Sequence, residues 1–108
     1  MSQLSPGNTE DWREPCNDAF DLMRDVLPAA RQIGQDLLAR AADDALAGLA
    51  GELVQTLCNF RETGCEYSWG KLGELLPRFE RCGSQAALLL CLYSMASVSS
   101  GRGLYQVA

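Results

Sequence analysis

The stretch SQAALLLCLYSMASVSS, residues 84–100, is the most apolar run in the sequence. From Ala86 to Val98 it holds no charged residue. This uncharged part is shorter than the roughly 20 residues that a bilayer-spanning helix needs, so a membrane anchor is not expected. A helix that is apolar on every side is normally buried. We therefore expect the segment to form the centre of a core or an interface with another chain.

Outside this stretch, the apolar residues are again mainly Ala and Leu. The chain has 108 residues, of which 47% are hydrophobic, while Val and Ile are scarce. Sheets favour β-branched residues, whereas Ala and Leu lose little side-chain freedom in a helix. The length suits one core. The composition predicts an all-α fold with a flexible tail over residues 1–9 and a single helical domain over residues 10–108.

Helical spacing marks the first elements. Apolar residues recur at three- and four-residue steps from Trp12 to Leu27, and carboxylates follow the same steps on another face. After Pro28 the helical pattern continues to Phe60. It fits one long helix over 28–62, which we expect, or two helices joined near residues 42–44, where aspartates suit a helix start.

Capping residues mark the later elements. Ser68 is expected to cap a short helix from Trp69 to about Arg81, with Pro77 kinking or splitting it. Gly83 should end that helix and Ser84 should cap the apolar one. The last eight residues, GRGLYQVA, are too rich in glycine to extend a helix far. The whole predicts a compact bundle of four to five helices with one long central helix.

The apolar helix also bears on the oligomeric state. A chain with about 95 ordered residues has difficulty surrounding a fully apolar helix, and a second copy would complete the core. The small-residue stretch ARAADDALAGLAGE predicts close approach of another helix, in the same chain or in a second copy. We expect a homodimer. The residues predicted for a dimer or core seam are Leu46, Leu49, Leu53, Leu89 and Leu92.

Several classes of chemistry lack their usual residues. The sequence has no His, so it lacks the common general base, the common nitrogen ligand for metals, and any Ser–His or Cys–His pair. Its five cysteines form no C-x-x-C pair and match no zinc spacing. We expect no catalytic residue, no cofactor and no metal site, and we expect the cysteines to be free thiols.

Charge is distributed unevenly. The net charge is −5; residues 1–54 hold ten carboxylates and four arginines, and residues 55–108 hold four carboxylates and five cationic side chains. An acidic half argues against direct binding to nucleic acid, and it fits either a basic protein partner or simple solubility. The first residues, MSQLSPGNTEDWREP, resemble no secretory signal, so we expect a cytoplasmic protein.

The first predicted helix combines aromatic anchors with carboxylates. Anchors give affinity when they are buried in a partner, and charges at the rim speed encounter. Two further aromatics are expected in a loop between helices. In a competing interpretation, the first helix is simply part of the core. The residues predicted to bind a partner are Trp12, Asp18, Phe20, Asp21, Asp25, Tyr67 and Trp69.

In length, acidity and amphipathic helices, the chain resembles the small bacterial anti-activators that bind a transcription factor, including those that act on quorum-sensing receptors. The segment DAFDLMRDVLPAARQIGQDLLARA and the apolar segment over 84–98 carry this resemblance. It implies a non-enzymatic regulator that sequesters another protein, plausibly a transcription factor. The alternatives are a structural subunit of a larger assembly and a phage- or plasmid-encoded inhibitor such as an anti-CRISPR protein.

Overall fold

The computed structural model describes residues 12–23, 25–63 and 65–107, with side chains for all of these except 65–66 and 101–107. The described residues form five α-helices and no strand, which confirms the all-α prediction. The predicted tail over residues 1–9 lies outside them. The helices are α1 (Arg13–Leu22), α2 (Leu27–Ala39), α3 (Ala45–Thr63), α4 (Cys65–Glu80) and α5 (Gln85–Val107).

The chain divides into two compact units. Unit 1 is Met1–Val54 and unit 2 is Gln55–Ala108, so the boundary falls inside α3. This boundary coincides with the change in charge, since unit 1 holds ten carboxylates against four arginines. The prediction of a single domain over 10–108 stays a prediction.

In unit 1, α1 packs against α2. α1 buries one face, and α2 buries residues at the same helical spacing, as the apolar pattern predicted. Pro28 lies in the first turn of α2, where its missing N–H is tolerated. The buried positions of the two helices and their ends are Trp12, Cys16, Ala19, Met23, Ala30, Gly34 and Leu37.

The long helix expected over 28–62 is wrong, because α2 ends at Ala39 and α3 begins at Ala45. Asp44 makes the break favourable. Its carboxylate Oδ1 accepts hydrogen bonds from the backbone N–H of Leu46 at 3.1 Å and of Ala47 at 3.2 Å. These are donors that a helix start leaves without an intrahelical acceptor. The alternative of two helices joined near 42–44 is therefore the correct one.

Glycines on α3 bring its backbone close to that of α2. A Cβ placed at Gly51 would lie 2.7 Å from the backbone nitrogen of Leu38 and 2.8 Å from the carbonyl oxygen of Gly34. A Cβ at Gly48 would lie 2.6 Å from that of Ala41. No larger side chain fits at Gly51 unless a backbone shifts. The predicted close approach at the small-residue stretch is confirmed within the chain.

In unit 2, α4 packs against α5. Ser68 is not a cap, because α4 begins before it, at Cys65. Ser68 is buried, and its hydroxyl donates a hydrogen bond of 3.1 Å to the carbonyl oxygen of Thr56 on α3. Pro77 does not split the helix: it lies inside α4, which continues to Glu80. The inward residues of α4 are Leu72, Leu75 and Phe79.

The turn into α5 follows the predicted capping pattern. Gly83 has a φ of +84°, a conformation that side-chain-bearing residues rarely adopt. The Ser84 hydroxyl accepts a hydrogen bond of 3.2 Å from the backbone N–H of Ala87, which is an N-cap interaction. The expectation that the glycine-rich end stops the helix is wrong, since α5 runs to Val107.

Candidate functional site

A cleft lies between α1 and α2 in unit 1. It has a volume of about 230 Å³. Its floor is apolar, and its rim carries three exposed carboxylates and one half-buried arginine. Asp36 is held in place on this rim, because its carboxylate accepts a hydrogen bond of 3.0 Å from Gln32. We call this site the α1/α2 cleft; its lining residues are Glu14, Pro15, Asp18, Ile33, Asp36, Leu37 and Arg40.

The predicted partner residues of α1 divide between three environments. Asp18 lines the α1/α2 cleft, whereas Asp21 and Asp25 are exposed outside it. Phe20 is half-buried. Trp12 is only 1% exposed. Trp12 therefore contributes to the core, which corrects its expected role as an anchor, because a partner cannot reach the ring unless α1 moves.

The predicted aromatics of the second half of the chain lie on α4, not in a loop. Tyr67 is 61% exposed and Trp69 is half-buried. The physical reason is the hydroxyl of Ser68, which binds the Thr56 carbonyl from inside the helix instead of capping a later helix start. Tyr67 remains available to a partner.

The residues predicted for a dimer or core seam fall into a buried group on α3 and an exposed group on α5. Leu49 and Leu53 are buried and Leu46 is half-buried, so these leucines belong to the core around α3. Leu89 and Leu92, by contrast, are 61% and 44% exposed. Within the chain, the apolar helix is therefore covered along one face only. A seam with another chain stays a prediction for Leu89 and Leu92.

Side-chain size explains the exposure of α5. The buried positions of α5 follow one face at helical spacing, and most of them hold small residues: Ala87, Cys91, Ser94 and Val98. The larger residues point away from this face. Tyr93 is 67% exposed, more than either leucine. We call Leu89, Leu92, Tyr93 and Ala96, which repeat at three- and four-residue steps, the outer stripe of α5.

The thiols are not arranged for reaction. Burial raises the pKa of Cys16 to about 12, and burial together with the nearby charge of Glu80 raises that of Cys91 to about 11. Reactive cysteines need the opposite shift. Cys16, Cys58, Cys82 and Cys91 are free thiols. Within the part of the chain that is described, no three His, Cys, Asp or Glu residues are grouped to hold a metal ion.

The residues predicted from the sequence include one of the seven that line the cleft, Asp18, and they omit the most exposed residue of the outer stripe, Tyr93. Ile33, Asp36 and Arg40 follow one another at three and four residues on α2, so they share a face. Combined with Asp18, that spacing could have indicated the cleft. Tyr93 follows Leu89 by four residues, and this spacing was available too. What could not be read from either pattern was which face of α5 turns inward.

Comparisons with known proteins find no match: no protein-family model, curated protein or solved structure matches the chain. Among the described helices, none combines the length and hydrophobicity required to cross a bilayer. Function is therefore inferred from the two surfaces themselves, the α1/α2 cleft and the outer stripe of α5.

Proposed function

We propose that this protein is a non-enzymatic, cytoplasmic regulator that binds another protein and sequesters it, and that the target places a basic segment in the α1/α2 cleft. The observation that carries the proposal is the chemistry of that cleft. Its apolar floor is bordered by three carboxylates from two helices and by one arginine, Arg40.

The cleft suits long cationic side chains. Lys and Arg can lay their aliphatic stems on an apolar surface while the charged end reaches a carboxylate. Ile33 and Leu37 provide such a surface, and Asp18 and Asp36 provide carboxylates from opposite sides. The cleft volume, about 230 Å³, is below the roughly 300–1,000 Å³ typical of small-molecule sites. Side chains of a protein therefore fit better than a metabolite.

Charge supports a basic target. Residues 1–54, which contain the whole cleft, hold ten carboxylates and four arginines. A field of one sign attracts partners of the other sign and raises the association rate. Transcription factors carry basic surfaces because Lys and Arg contact the phosphates of DNA. A transcription factor is the target class that we propose, in keeping with the resemblance to anti-activators.

The test is affinity purification of the target from a lysate of the source organism, with tagged full-length chain as bait. The Asp18→Asn/Asp36→Asn variant removes both opposing carboxylates of the cleft. We expect it to capture the target about tenfold less well, because it loses contacts as well as charge. The matched control is Asp43→Asn/Glu74→Gln, which removes the same charge from exposed carboxylates that do not line the cleft. It should capture the target normally.

A second variant separates direct contacts in the cleft from the long-range electrostatic attraction of the target. Asp21 and Asp25 are exposed outside the cleft. Neutralising both should slow association with the purified target and weaken its dependence on salt, while the dissociation rate stays unchanged. If the cleft variant and the control bind equally well, the cleft is not the target site and the proposal fails.

A second candidate function is a structural subunit of a larger assembly. The exposed outer stripe of α5 favours it, because a permanent subunit leaves such a face for its neighbours. The two candidates differ when the chain is expressed alone: a regulator remains monodisperse, whereas a missing-partner subunit aggregates.

We also propose that the regulator is a homodimer. An apolar face on a small acidic chain is the feature that supports this state. Twofold dimers are the commonest soluble oligomers, and in them the same patch of both copies forms the interface. Measuring the mass of the chain in solution tests the dimer without knowledge of the target.

A further inference from the structure

The lining of the α1/α2 cleft contains one cationic side chain, that of Arg40. Arg40 is half-buried, and the carboxylates of Glu14, Asp18 and Asp36 line the same cleft. Within the described part of the chain, the guanidinium of Arg40 forms an ion pair with none of them. A half-buried charge in a cleft with three carboxylates would normally be paired, so the separation of these groups is a feature of the site.

Asp36 and Arg40 stand four residues apart, a spacing at which opposite charges on a helix normally pair. The Asp36 carboxylate instead accepts a hydrogen bond of 3.0 Å from Gln32, which lies one turn away in the other direction. A guanidinium carries five N–H donors in a planar fork that matches the two oxygens of a carboxylate. Arg40 therefore presents these donors to whatever occupies the cleft.

The end of α2 also bears on the role of this arginine. Arg40 is the C-cap residue of α2, and the helix dipole favours a cation near the end of a helix. A lysine would meet that requirement equally well. A carboxylate ligand, by contrast, is bound through two parallel hydrogen bonds by arginine but only as a point charge by lysine. Replacement of Arg40 by lysine therefore distinguishes the two roles.

We infer that the target segment in the cleft is of mixed charge: it carries a carboxylate that Arg40 binds, beside basic side chains that Asp18 and Asp36 bind. This inference rests on the proposed function of the cleft and adds the charge pattern that the cleft selects. A segment that is basic throughout would place a cation beside Arg40, where like charges repel. Four helical residues rise about 6 Å, so the cation and the carboxylate of the target lie about one helical turn apart.

Selection from a displayed library of random peptides, each about three helical turns long, tests this pattern on the immobilised full-length chain. Peptides selected on the wild type should be enriched in Lys and Arg and should also carry Asp or Glu. Peptides selected on Arg40→Glu should keep the basic residues and lose the acidic one. The matched control is Arg61→Glu, which reverses the charge of an exposed arginine that does not line the cleft. It should select the same peptides as the wild type.

One selected peptide then measures the contact itself by fluorescence anisotropy, alongside a form in which its carboxylate is replaced by the amide. The wild type should bind the amide form about tenfold less well, because a charge-assisted hydrogen bond is lost. Arg40→Gln should bind both forms equally. Arg40→Lys keeps the charge at the end of α2 but not the planar fork, so it should retain a preference of only about threefold.

The possible results separate this inference from the proposed function. Selected peptides that lack Asp and Glu, and that bind Asp18→Asn/Asp36→Asn poorly, overturn the role of Arg40 and leave the cleft as the target site. Equal weakening of both peptide forms by Arg40→Gln also overturns that role, because Arg40 would then support the cleft without contacting the peptide. Selection of no peptide, or of peptides that bind Asp18→Asn/Asp36→Asn as tightly as the wild type, overturns both the inference and the cleft.

Discussion

Two helices of this protein are rich in Ala, Leu and small residues, but they are buried to different extents. Near its start, α3 is buried at five consecutive positions, from Ala47 to Gly51. Five residues exceed one turn, so every side of the helix is covered there. α5 is buried along one face only, and it exposes its larger residues on the other.

The comparison shows that hydrophobicity alone does not determine burial. The glycines of α3 remove the side chains that would hold α2 away, and the two backbones meet. On α5, small residues such as Ala87 and Ser94 face inward and let it pack closely, while Leu89 and Tyr93 have no place on that side. The stretch that is covered on all sides is the glycine- and alanine-containing start of α3, not the run of leucines in α5.

The largest difference in stability is expected when one leucine on α3 and one leucine on α5 are each replaced by aspartate. Leu53→Asp puts an unpaired charge at a position of α3 with no exposure, which costs several kcal/mol, comparable with the stability of a small domain. The variant should be unfolded at room temperature. Leu89→Asp should remain folded, with a melting temperature within about 3 °C of the wild type. Circular dichroism melts check both, and an unfolded Leu89→Asp would erase the difference between the helices.

The second-largest effect is a loss of stability at high pH, which tests whether Cys91 lies on the inner face of α5. Cys91 has a pKa of about 11 in the fold and 9.0 as an ordinary thiol. Between these values the unfolded thiol loses its proton and the folded one keeps it, so stability falls as pH rises. The loss is about 1.4 kcal/mol per pH unit for one thiol, and stability below pH 9 is unaffected.

Chemical denaturation at pH 8 to 11 measures this loss. Cys91→Ala should reduce the loss of stability per pH unit by the contribution of one thiol. Cys16→Ala should have the same effect, since the pKa of Cys16 is raised to about 12. An unchanged slope in Cys91→Ala would show that Cys91 is not buried on α5.

The third effect concerns the contact between α2 and α3. Gly51→Ala places a Cβ 2.7 Å from the backbone nitrogen of Leu38, and overpacking of this kind costs about 1–3 kcal/mol. Gly73→Ala is the matched control, because Gly73 lies inside α4 with no atom within 4 Å of its Cβ position. The control should gain about 1 kcal/mol from helix propensity. Melting temperatures should therefore shift in opposite directions; two shifts of one sign contradict the close packing.

The smallest effect compares the caps of the two helices. Asp44 accepts two backbone hydrogen bonds at the start of α3, and Ser84 accepts one at the start of α5. Asp44→Ala should cost about 1–2 kcal/mol and Ser84→Ala about 1 kcal/mol in the free energy of unfolding. Asp43→Ala is the control and should change little, since Asp43 is exposed. Equal stability of Asp44→Ala and Asp43→Ala would contradict the break between α2 and α3.

The class of fold and most of the helices could be predicted from the sequence, because periodicity and caps are local signals. Pro28, Gly83 and Ser84 each marked a boundary that the structure has. The break at Asp44 was given only as the alternative to one long helix, because the apolar spacing continues through it and the capping bonds that favour the break are not visible in that spacing. The start of α4 was missed because Ser68 bonds to a distant carbonyl, which a local signal cannot reveal.

Of the candidate sites, only Asp18 and the α5 leucines could be indicated in advance. An exposed and a buried aromatic look alike in the sequence, and for that reason Trp12 was assigned to the surface although it lies in the core. α5 packs against α4, and the face that turns inward holds Ala87, Cys91, Ser94 and Val98 instead of the larger Leu89 and Tyr93. Tertiary packing decides both the burial of Trp12 and the choice of the inward face of α5.

The central claim is that α5 has an inner face and an exposed outer stripe, and adjacent positions test it most directly. Cys91 has no exposure, whereas Leu92 is 44% exposed. Thiol labelling of the Leu92→Cys variant is measured site by site by mass spectrometry at about 0.05 μM, so that even a dimer with a micromolar dissociation constant is dissociated. We expect the thiol at position 92 to be labelled under native conditions and Cys91 only after denaturant is added. Equal protection of both positions, or equal labelling of both, would contradict the claim.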